Sequence, residues 1–426
     1  MGTSPPMNTP IEIHNRQEAV ILYALGFLFL PVAVLATAQV WVLAVTGVLG
    51  ILAVRAVHGR FALKPSGLLV VLMILLVGWA AISSLWSITP DRAIKTTLRI
   101  ALVCLSLIVL IDATNKLDQD QRRRFGYWLV GGTIAGLILT GFFVLSSGII
   151  SVWLSENPMT GHELATLNRT STVIALLVWP VALIVAQICN RYAAAAVIVL
   201  SALFLFALAP STPLVAFAVG LAAFVLAWIS HGLGKRILLL GFACSVIAIP
   251  LLDVLAPPVI EILSANISSP NSEIHRLVIW QFAAERIFEH PLIGWGLDAS
   301  RAIPGNNEEL FLFQVGAAAV TGQAMPLHPH NALIQIWLEL GLVGVILVGA
   351  IFSLIVASIP TSAHNRAGPA TLIAMTACAL SIAQLGFGIW QGWWMTTLGL
   401  MVVIAIATAT NVSAPAARQG QPDRNI

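Results

Sequence analysis

The sequence is poor in charged side chains. Only 9% of its 426 residues are Asp, Glu, Lys or Arg, whereas a typical soluble domain contains about 25%. Hydrophobic residues make up 58% of the chain, and the mean hydropathy is +0.93. The composition therefore excludes a soluble globular protein and indicates a protein that is embedded in a lipid bilayer.

Cysteines and known ligand-binding motifs are also scarce. The four cysteines lie in apolar stretches without CxxC spacing, which is typical of core residues and not of a disulfide framework or a metal centre. No glycine-rich phosphate-binding motif occurs, so we expect no nucleotide. The net charge is only +3 and no long basic tract occurs, which argues against binding to nucleic acid. No small-residue cleavage site follows the polar first 18 residues, so we expect the first helix to remain as an anchor.

Long apolar segments occur along most of the chain. A spanning helix needs about 20 mostly apolar residues, and by this criterion the chain has about 12 candidates. They are predicted at 19–37, 39–54, 67–87, 93–111, 127–151, 170–189, 192–209, 213–230, 236–255, 331–358, 369–389 and 393–410. The predicted fold is an all-α, polytopic membrane protein with a short N-terminal segment (1–18), nine spans (19–255), a long outer loop (256–330), three spans (331–410) and a C-terminal tail (411–426).

The distribution of Lys and Arg supports this topology. Cytoplasmic loops are enriched in positive charge, and with both termini inside, most of the 21 Lys and Arg residues fall on the inner side. The exceptions on the outer side are Arg92, Lys95, Arg99, Arg169, Arg276, Arg286 and Arg301. Because these cations contradict the sorting rule, we expect the outer face to require positive charge.

The loop 256–330 is too long to be structureless in a compact protein. Apolar residues recur near 3.6-residue spacing over 272–289, which predicts an amphipathic helix that lies on the membrane or on the helix bundle. Pro291, Gly294 and Gly296 follow and would end it. A second, shorter helix is predicted over 308–319.

Two histidines lie where this loop meets the tenth predicted span, in the order His328, Pro329, His330, Asn331. An imidazole titrates near neutral pH, so His330 is suited to act as a general base, with Asn331 orienting it or a substrate. The alternative is a loop that only caps the helix. A metal site completed by His275, His290 or a carboxylate of the loop is a further alternative. Because no HExxH motif occurs and no DxD or DxE pair lies in an outer loop, a metal-independent reaction without a cofactor is the simpler expectation.

The start of the fourth predicted span carries a row of cations. Arg92, Lys95 and Arg99 are spaced i, i+3 and i+7, which places them on one helical face beyond Asp91. Such cations are costly inside a membrane unless they face a polar cavity or an anion. The row is interpreted either as side chains that reach the interface or pair inside the bundle, or as a path for a phosphate-bearing lipid head group.

Arg169 and Arg276 can face the same outer surface. Guanidinium groups bind phosphates through two parallel hydrogen bonds and stay charged at every working pH. Each arginine alone is equally well explained by an ion pair at the rim, for example Arg276 with Glu273. Together with the cationic face of the fourth span, they predict a site for an anionic ligand.

Three stretches of the sequence carry a resemblance to a known family. They are Ser83, Ser84, Leu85, Trp86 and Ser87 with Thr89 and Pro90; Arg276 through Trp280 leading to Pro291, Gly294, Trp295 and Gly296; and His330 and Asn331 through Glu339, Gly341 and Gly344. With about 12 spans and one long loop late in the chain, the sequence resembles the O-antigen ligase family. That family lies in a superfamily that also includes O-antigen polymerases and O-oligosaccharyltransferases.

The resemblance implies an inner-membrane glycosyltransferase of lipopolysaccharide biosynthesis whose active site faces the periplasm. Its expected partners are an undecaprenyl pyrophosphate-linked glycan, lipid A core oligosaccharide and membrane lipids. By the resemblance, His330 is the catalytic base and Arg276 binds the donor pyrophosphate, while Arg169 matches a looser pattern. The assignment of Arg92, Lys95 and Arg99 to the pyrophosphate depends on the helical-face argument. His328 and Asn331 are secondary candidates.

The expected reaction is a single, metal-independent displacement that inverts the anomeric carbon. The acceptor separates a ligase from a polymerase or an O-oligosaccharyltransferase, and the chain length, the single late loop and the short tail favour a ligase. A secondary transporter is the alternative from another class, since twelve spans are common there too. Transporters usually carry their polar groups near the midplane, whereas here the arginines and histidines gather at the outer face. A non-catalytic lipid scaffold also stays open.

Overall fold

A computed structural model describes residues 10–59, 63, 67–146, 161–208, 211–265, 272–315, 318–361 and 366–409. These residues form α-helices almost throughout, with one β-hairpin. The elements are α1 (Pro10–Ala36), α2 (Val40–Val57), α3 (Gly67–Ser83), α4 (Pro90–Asn115), α5 (Gln119–Val144), α6 (Gly161–Ile188), α7 (Arg191–Leu208), α8 (Ser211–Ile229), α9 (His231–Ala248), α10 (Leu252–Ala265), α11 (Ser272–Glu289), β1 (Glu309–Val315), β2 (Ala318–Gln323), α12 (Ala332–Ser358), α13 (Ala367–Leu385) and α14 (Gly392–Ala409).

The predicted fold class is confirmed. Nine stretches of the described chain are long and apolar enough to cross a membrane, and three further apolar helices are shorter. The first stretch, Asn15–Val57, contains most of α1 and all of α2, which a 3-10 turn at Thr37–Gln39 separates. Every predicted span overlaps one helix of the set α1 to α9 and α12 to α14. The number of crossings and the side of each terminus stay predictions, and residues 1–9 and the tail 411–426 lie outside the described residues.

The region predicted as the outer loop has its own secondary structure. The amphipathic helix predicted over 272–289 is confirmed as α11, which buries Ile274, Ile279 and Ala283. The predicted boundary between residues 255 and 256 falls inside α10, which follows α9 after a 3-10 turn. The described residues between 252 and 331 lie at one end of the helix bundle, which we call the loop side.

The short helix predicted over 308–319 is wrong. The chain forms an antiparallel hairpin there, in which Glu309 of β1 lies opposite Gln323 of β2. In a strand successive side chains point to opposite faces. Accordingly Leu312 is 6% exposed, whereas its neighbour Phe311 is 61% exposed. Apolar residues occupy both faces of β1, so this alternation is not visible in the hydropathy pattern.

The loop side is packed onto the helices through a hydrophobic core of its own. This core joins Leu297 and Met325 of the loop to Leu76 of α3, Ile100 of α4 and Leu338 of α12. Apolar side chains that are buried together favour one fixed arrangement of these segments. The loop side is therefore part of the folded body of the protein.

Helix α12 is broken at Gly341, whose φ of 67° and ψ of −170° are not helical. The break frees main-chain groups that a continuous helix would pair internally. Residues 291–296, which we call the docked loop, supply most of their partners. The bonds are Trp295 N to Leu338 O (2.9 Å), Gly296 N to Glu339 O (2.9 Å), Leu342 N to Pro291 O (2.9 Å) and Val343 N to Leu292 O (3.4 Å), while the indole of Trp79 donates to Leu340 O (2.8 Å).

Glycine is required where the docked loop meets the break. A Cβ atom on Gly341 would lie 2.2 Å from the carbonyl oxygen of Leu292, and one on Gly294 would lie 2.5 Å from that of Glu339. Both glycines also have positive φ angles, which glycine adopts without steric cost. The glycines of these two sequence stretches therefore have an architectural role.

A buried group of charges, which we call the Arg55 cluster, lies at the end of the bundle away from the loop side. Arg55 of α2 is 1% exposed. Its guanidinium donates to Glu18 of α1 at 2.8 Å and contacts Asp112 of α4 at 2.9 Å, and Lys116 contacts Asp112 at 2.7 Å. The cluster therefore connects α1, α2 and α4 through ion pairs.

Candidate functional site

The predicted catalytic histidine lies between β2 and α12, against the turn that joins α13 to α14. We call this segment the 386–391 turn. The side chain of His330 is half-buried, and its Nδ1 atom lies 2.9 Å from the carbonyl oxygen of Gly386. A carbonyl only accepts hydrogen bonds, so Nδ1 carries the proton and Nε2 has the free lone pair. Among the described residues, none is hydrogen-bonded to Nε2.

The backbone of His330 is held in the left-handed region, with a φ of 54°. Its N–H donates to Nδ1 of His328 at 3.2 Å. Burial lowers the pKa of His330 below its ordinary value of 6.5; the hydrogen bond to Gly386 opposes this, and the charges of Arg276 and His275 add to the lowering. The imidazole is therefore unprotonated at neutral pH, as a general base must be.

His328 has a more enclosed environment than His330. It is 6% exposed, and its ring centroid lies 4.3 Å from that of His330. Burial, followed by the charges of His330 and Arg301, lowers its pKa to about 3. A group with so low a pKa is a weak base, so the structure favours His330 over His328 as proton acceptor.

Two arginines of the loop side act on the histidines through their charge. Arg276 of α11 is half-buried and acts on His330, whereas Arg301 is exposed and acts on His328. The sequence did not predict Arg301 as a site residue. Its predicted place on the outer side, where Lys and Arg are uncommon, was the signal that could have identified it. Glu273, the alternative partner of Arg276, has a side chain outside the described part of the chain.

Arg169 of α6 reaches the histidines through two other side chains. Its guanidinium carbon lies 5.8 Å from the ring centroid of Trp393, a cation–π contact. The Trp393 indole donates to Oε1 of Gln391 at 2.8 Å, and Nε2 of Gln391 lies 3.2 Å from Nε2 of His328. No sequence motif singles out Gln391, which is a polar residue within an aromatic segment.

The predicted cationic face of α4 lies on the exposed side of that helix. Arg99 donates from Nη1 to the carbonyl oxygen of Trp390 at 3.1 Å. Within the described residues, the side chains of Arg92 and Lys95 make no hydrogen bond or ion pair. Arg99 is therefore joined to the 386–391 turn, whereas the other two cations are free to meet a ligand.

An apolar cavity of about 540 Å³ lies between α2, α4 and α14. Arg99 and Gln391 line it near the loop side, and Leu110 and Leu400 line it further along α4 and α14. Arg99 and Leu110 are separated by about 16 Å along α4, at the usual helical rise, which is about half of the hydrocarbon thickness of a membrane. The cavity therefore combines a cationic end with a long apolar wall.

Glu339 of α12 is fully buried and fully hydrogen-bonded. Its carboxylate accepts bonds from Ser300 Oγ (2.5 Å), Gln335 Nε2 (3.0 Å), Asp298 N (2.6 Å) and Trp390 Nε1 (2.6 Å). These donors leave no room for a direct contact with substrate, so Glu339 connects the segments around the histidines. Three tryptophans near the site, Trp390, Trp393 and Trp394, are buried against protein.

Asn331 is the N-cap of α12. Its Oδ1 atom accepts hydrogen bonds from the N–H groups of Leu333 at 3.0 Å and Ile334 at 3.1 Å. These are two of the N–H groups that a helix leaves without an internal partner. The carboxamide oxygen of Asn331 therefore has a structural role, and it aligns α12 directly after His330.

Over the described residues, no group of three or more His, Cys, Asp or Glu side chains is arranged to hold a metal ion. The histidines considered as further ligands are used otherwise. His275 Nε2 lies 2.8 Å from the carbonyl oxygen of Gln323, and the ring of His290 packs edge-on against Trp295.

The site thus brings together a base with a free lone pair, several cations and an apolar cavity. Such a set suits a reaction in which a hydroxyl loses its proton while negative charge develops on a lipid-linked leaving group. Comparison with known proteins agrees with this chemistry. A family model described as O-antigen ligase matches residues 196–349, which include Arg276 and His330.

Similar proteins are known from Rickettsia. A putative polysaccharide ligase of Rickettsia felis is 24% identical over 78% of this chain and 78% of its own length. One of Rickettsia bellii is 25% identical over 76% of each chain, and one of Rickettsia conorii is 24% identical over 78% of this chain and 77% of its own. These matches extend well beyond the residues that the family model covers. Together with the polytopic helical fold and the motifs around His330, they support the O-antigen ligase family as the one that this chain resembles.

Proposed function

We propose that the protein transfers O-antigen polysaccharide from undecaprenyl pyrophosphate to lipid A core oligosaccharide on the periplasmic side of the bacterial inner membrane. The reaction is a metal-independent inverting displacement with His330 as general base. The observation that carries this proposal is the free Nε2 of His330, since Nδ1 is engaged by Gly386. The unprotonated ring lies within the electrostatic influence of Arg276.

The cations and the cavity support a lipid pyrophosphate as donor. A pyrophosphate needs several positive groups, and Arg276, Arg169, Arg99, Lys95 and Arg92 all lie at or near the loop side. Guanidinium groups are well suited to phosphate oxygens. The apolar cavity beside Arg99 has room for part of a prenyl chain, whose pyrophosphate would then meet the cations at the cavity end.

The displacement requires one proton transfer and one exchange of bonds at the anomeric carbon. The acceptor hydroxyl gives its proton to Nε2 of His330 as its oxygen forms a bond with that carbon. The bond from the anomeric carbon to the pyrophosphate oxygen breaks, and its electron pair leaves with undecaprenyl pyrophosphate. Arg276 and its neighbours offset the charge that develops on this leaving group. Attack from the opposite face inverts the anomeric configuration.

A reconstituted transfer assay tests the proposal. Purified protein, an undecaprenyl pyrophosphate-linked glycan and lipid A core are combined in the presence of EDTA, for wild type and for His330→Ala. A positioned general base contributes about a hundred- to ten-thousandfold to the rate, so the variant is expected to lose that factor while it inserts and folds normally. His231→Ala is the matched control, because His231 is half-buried and, among the described residues, its hydrogen bond is to the carbonyl oxygen of Arg366, at the other end of α13 from the 386–391 turn.

Four results would contradict parts of the proposal. Near wild-type transfer by His330→Ala excludes this histidine as the base. Loss of wild-type transfer in EDTA excludes a metal-independent reaction. Longer lipid-linked chains formed from the donor alone, without transfer to core, would identify a polymerase. Product with the anomeric configuration of the donor would require a covalent intermediate.

A further inference from the structure

The 386–391 turn contacts most of the groups around the candidate base. The carbonyl oxygen of Gly386 holds Nδ1 of His330, and Trp390 joins Glu339 to Arg99. The side chain of Gln391 lies between His328 and Trp393. None of the sequence motifs includes this turn, yet its last residue reaches the pair of histidines directly.

The orientation of the Gln391 amide is fixed by chemistry. The indole N–H of Trp393 is only a donor, so the atom of Gln391 that faces it at 2.8 Å must be the oxygen. The NH₂ group of Gln391 therefore faces Nε2 of His328, at 3.2 Å. Exchanging the two amide atoms would set donor against donor at Trp393.

His328 consequently faces a hydrogen-bond donor at each ring nitrogen. The NH₂ group of Gln391 approaches Nε2, and the backbone N–H of His330 approaches Nδ1. A neutral imidazole accepts from one of these two donors and turns its own N–H toward the other, whereas an imidazolium accepts from neither and carries a positive charge that both N–H dipoles oppose. Movement of the ring is restricted, since a Cβ on Gly388 would lie 2.8 Å from His328 Cδ2. The arrangement therefore disfavours a charged His328.

We propose that Gln391 is a positioning residue of the transfer reaction, which keeps His328 uncharged and thereby keeps the neighbouring His330 correctly placed and basic. The inference rests on the function proposed above. Neutral His328 accepts from the backbone of His330 in its left-handed conformation. Nε2 of His330 then stays directed away from Gly386 and available to an acceptor hydroxyl.

The electrostatic surroundings agree with this role. The groups that act on His328 are His330 and Arg301, and those that act on His330 are Arg276 and His275. All of them are cationic or able to become so. A proton on His328 would add a positive charge 4.3 Å from the base, measured between ring centroids, and would weaken the base further.

The substitution Gln391→Glu tests the proposal with little change of shape. A carboxylate still accepts from Trp393, but it offers His328 an acceptor in place of a donor, which favours the charged imidazole. We expect His328 in this variant to titrate within the range used for assays. The value of kcat/KM should fall about tenfold relative to wild type near pH 6 and recover toward pH 8, because a weaker base slows proton transfer.

Two further variants separate this role from simple packing. His328→Asn retains an acceptor for the N–H of His330 but cannot titrate, so adding Gln391→Glu to it should leave the pH profile unchanged. Gln384→Glu is the matched control on α13, since neither amide atom of Gln384 has a hydrogen-bond partner among the described residues. Its pH profile should match wild type, because Gln384 contacts neither histidine.

The titration of His328 is also measured directly, by NMR of isotope-labelled histidine in the full-length protein in micelles. This readout needs no turnover. A His328 that stays neutral in Gln391→Glu down to pH 5, or a pH profile that coincides with wild type, overturns the inference while the transfer reaction itself stands. A wild-type protein that transfers nothing overturns the proposed function instead.

Discussion

The positively charged side chains of the Arg55 cluster and those of the loop side have different kinds of partner. In the cluster, Arg55 and Lys116 contact the carboxylates of Glu18 and Asp112. At the loop side, Arg99 is bonded to a main-chain carbonyl and Arg169 lies over an indole ring. Among the described side chains, neither of these two arginines forms an ion pair with a carboxylate.

This difference indicates which charges serve the fold and which are available to a ligand. A buried ion pair is neutralised within the chain, and breaking it harms the folded state. Cations without a carboxylate keep their attraction for an external anion, which is costly to maintain in a membrane protein unless it has a use. The loop side also holds the free lone pair of His330, so the available charge and the available base occur together.

The largest expected effect is on stability, at the Arg55 cluster. Arg55→Ala removes one partner from a buried network and leaves Glu18 and Asp112 without their guanidinium, which typically costs about 3–5 kcal/mol. The loss is measured by unfolding of the purified protein in micelles. Arg124→Ala is the control, because its pair with Asp120 is exposed and contributes little. If Arg55→Ala were as stable as wild type, the Arg55 cluster would not serve the fold, and the contrast with the loop side would be wrong.

The next effect is on catalysis, at Arg276. Arg276→Ala should lower kcat/KM about a hundredfold, because one group that stabilises developing negative charge is lost. Arg276→Lys should keep part of the activity, since it retains the charge but not the two-pronged hydrogen bonding. Arg286→Ala is a control on the same helix, since Arg286 pairs with Glu289. A fall in stability that accounts for the lost activity would assign Arg276 to the fold instead.

The pH dependence of kcat/KM tests whether the charges of the loop side act on His330. The base must be neutral, and its pKa lies below the ordinary 6.5, so kcat/KM should decline only at pH values below 6.5. Arg276→Gln removes a positive charge that lowers this pKa, so the acid limb of the profile should move to higher pH. An acid limb that stays in place would show that Arg276 does not act on the base.

The smallest effect is expected at the exposed end of α4. Arg92→Gln and Lys95→Gln should each weaken donor use by about two- to fivefold, the usual range for exposed charge interactions. The loss should shrink at high salt, because screening already weakens these contacts in wild type. The measurement is the KM for the donor at low and high ionic strength. A loss that is independent of salt would contradict a purely electrostatic role.

The helical fold could be predicted from the sequence because its cause is local. About 20 consecutive apolar residues determine a spanning helix wherever they occur, and the 3.6-residue pattern of α11 is equally local. The hairpin of β1 and β2 was missed because apolar side chains on both strand faces hide the alternation. The break in α12 was missed because Gly341 lies among good helix formers, and its conformation depends on a segment about fifty residues earlier.

The candidate site was predictable only where a single residue type carried the signal. His330 and Arg276 belong to recognisable stretches, and the structure brings both near the same face of the loop side. Gln391 has no such signal, since its role depends on Trp393 and His328 and on the folding of three separate segments. Asn331 was considered for chemistry, but its side-chain oxygen is used to cap α12.

The docked loop also constrains the order in which the protein can mature. Residues 291–296 leave the ribosome before α12. Their hydrogen-bond partners, the main-chain groups at the break in α12, are in place only after α12 has entered the bilayer. Within lipid, main-chain groups at a helix break need partners, so an isolated α12 is expected to insert as a continuous helix and to open only when the loop docks. His330 lies between these two segments, so the candidate site is completed late in assembly, and an immature chain is expected to lack the proposed transfer activity.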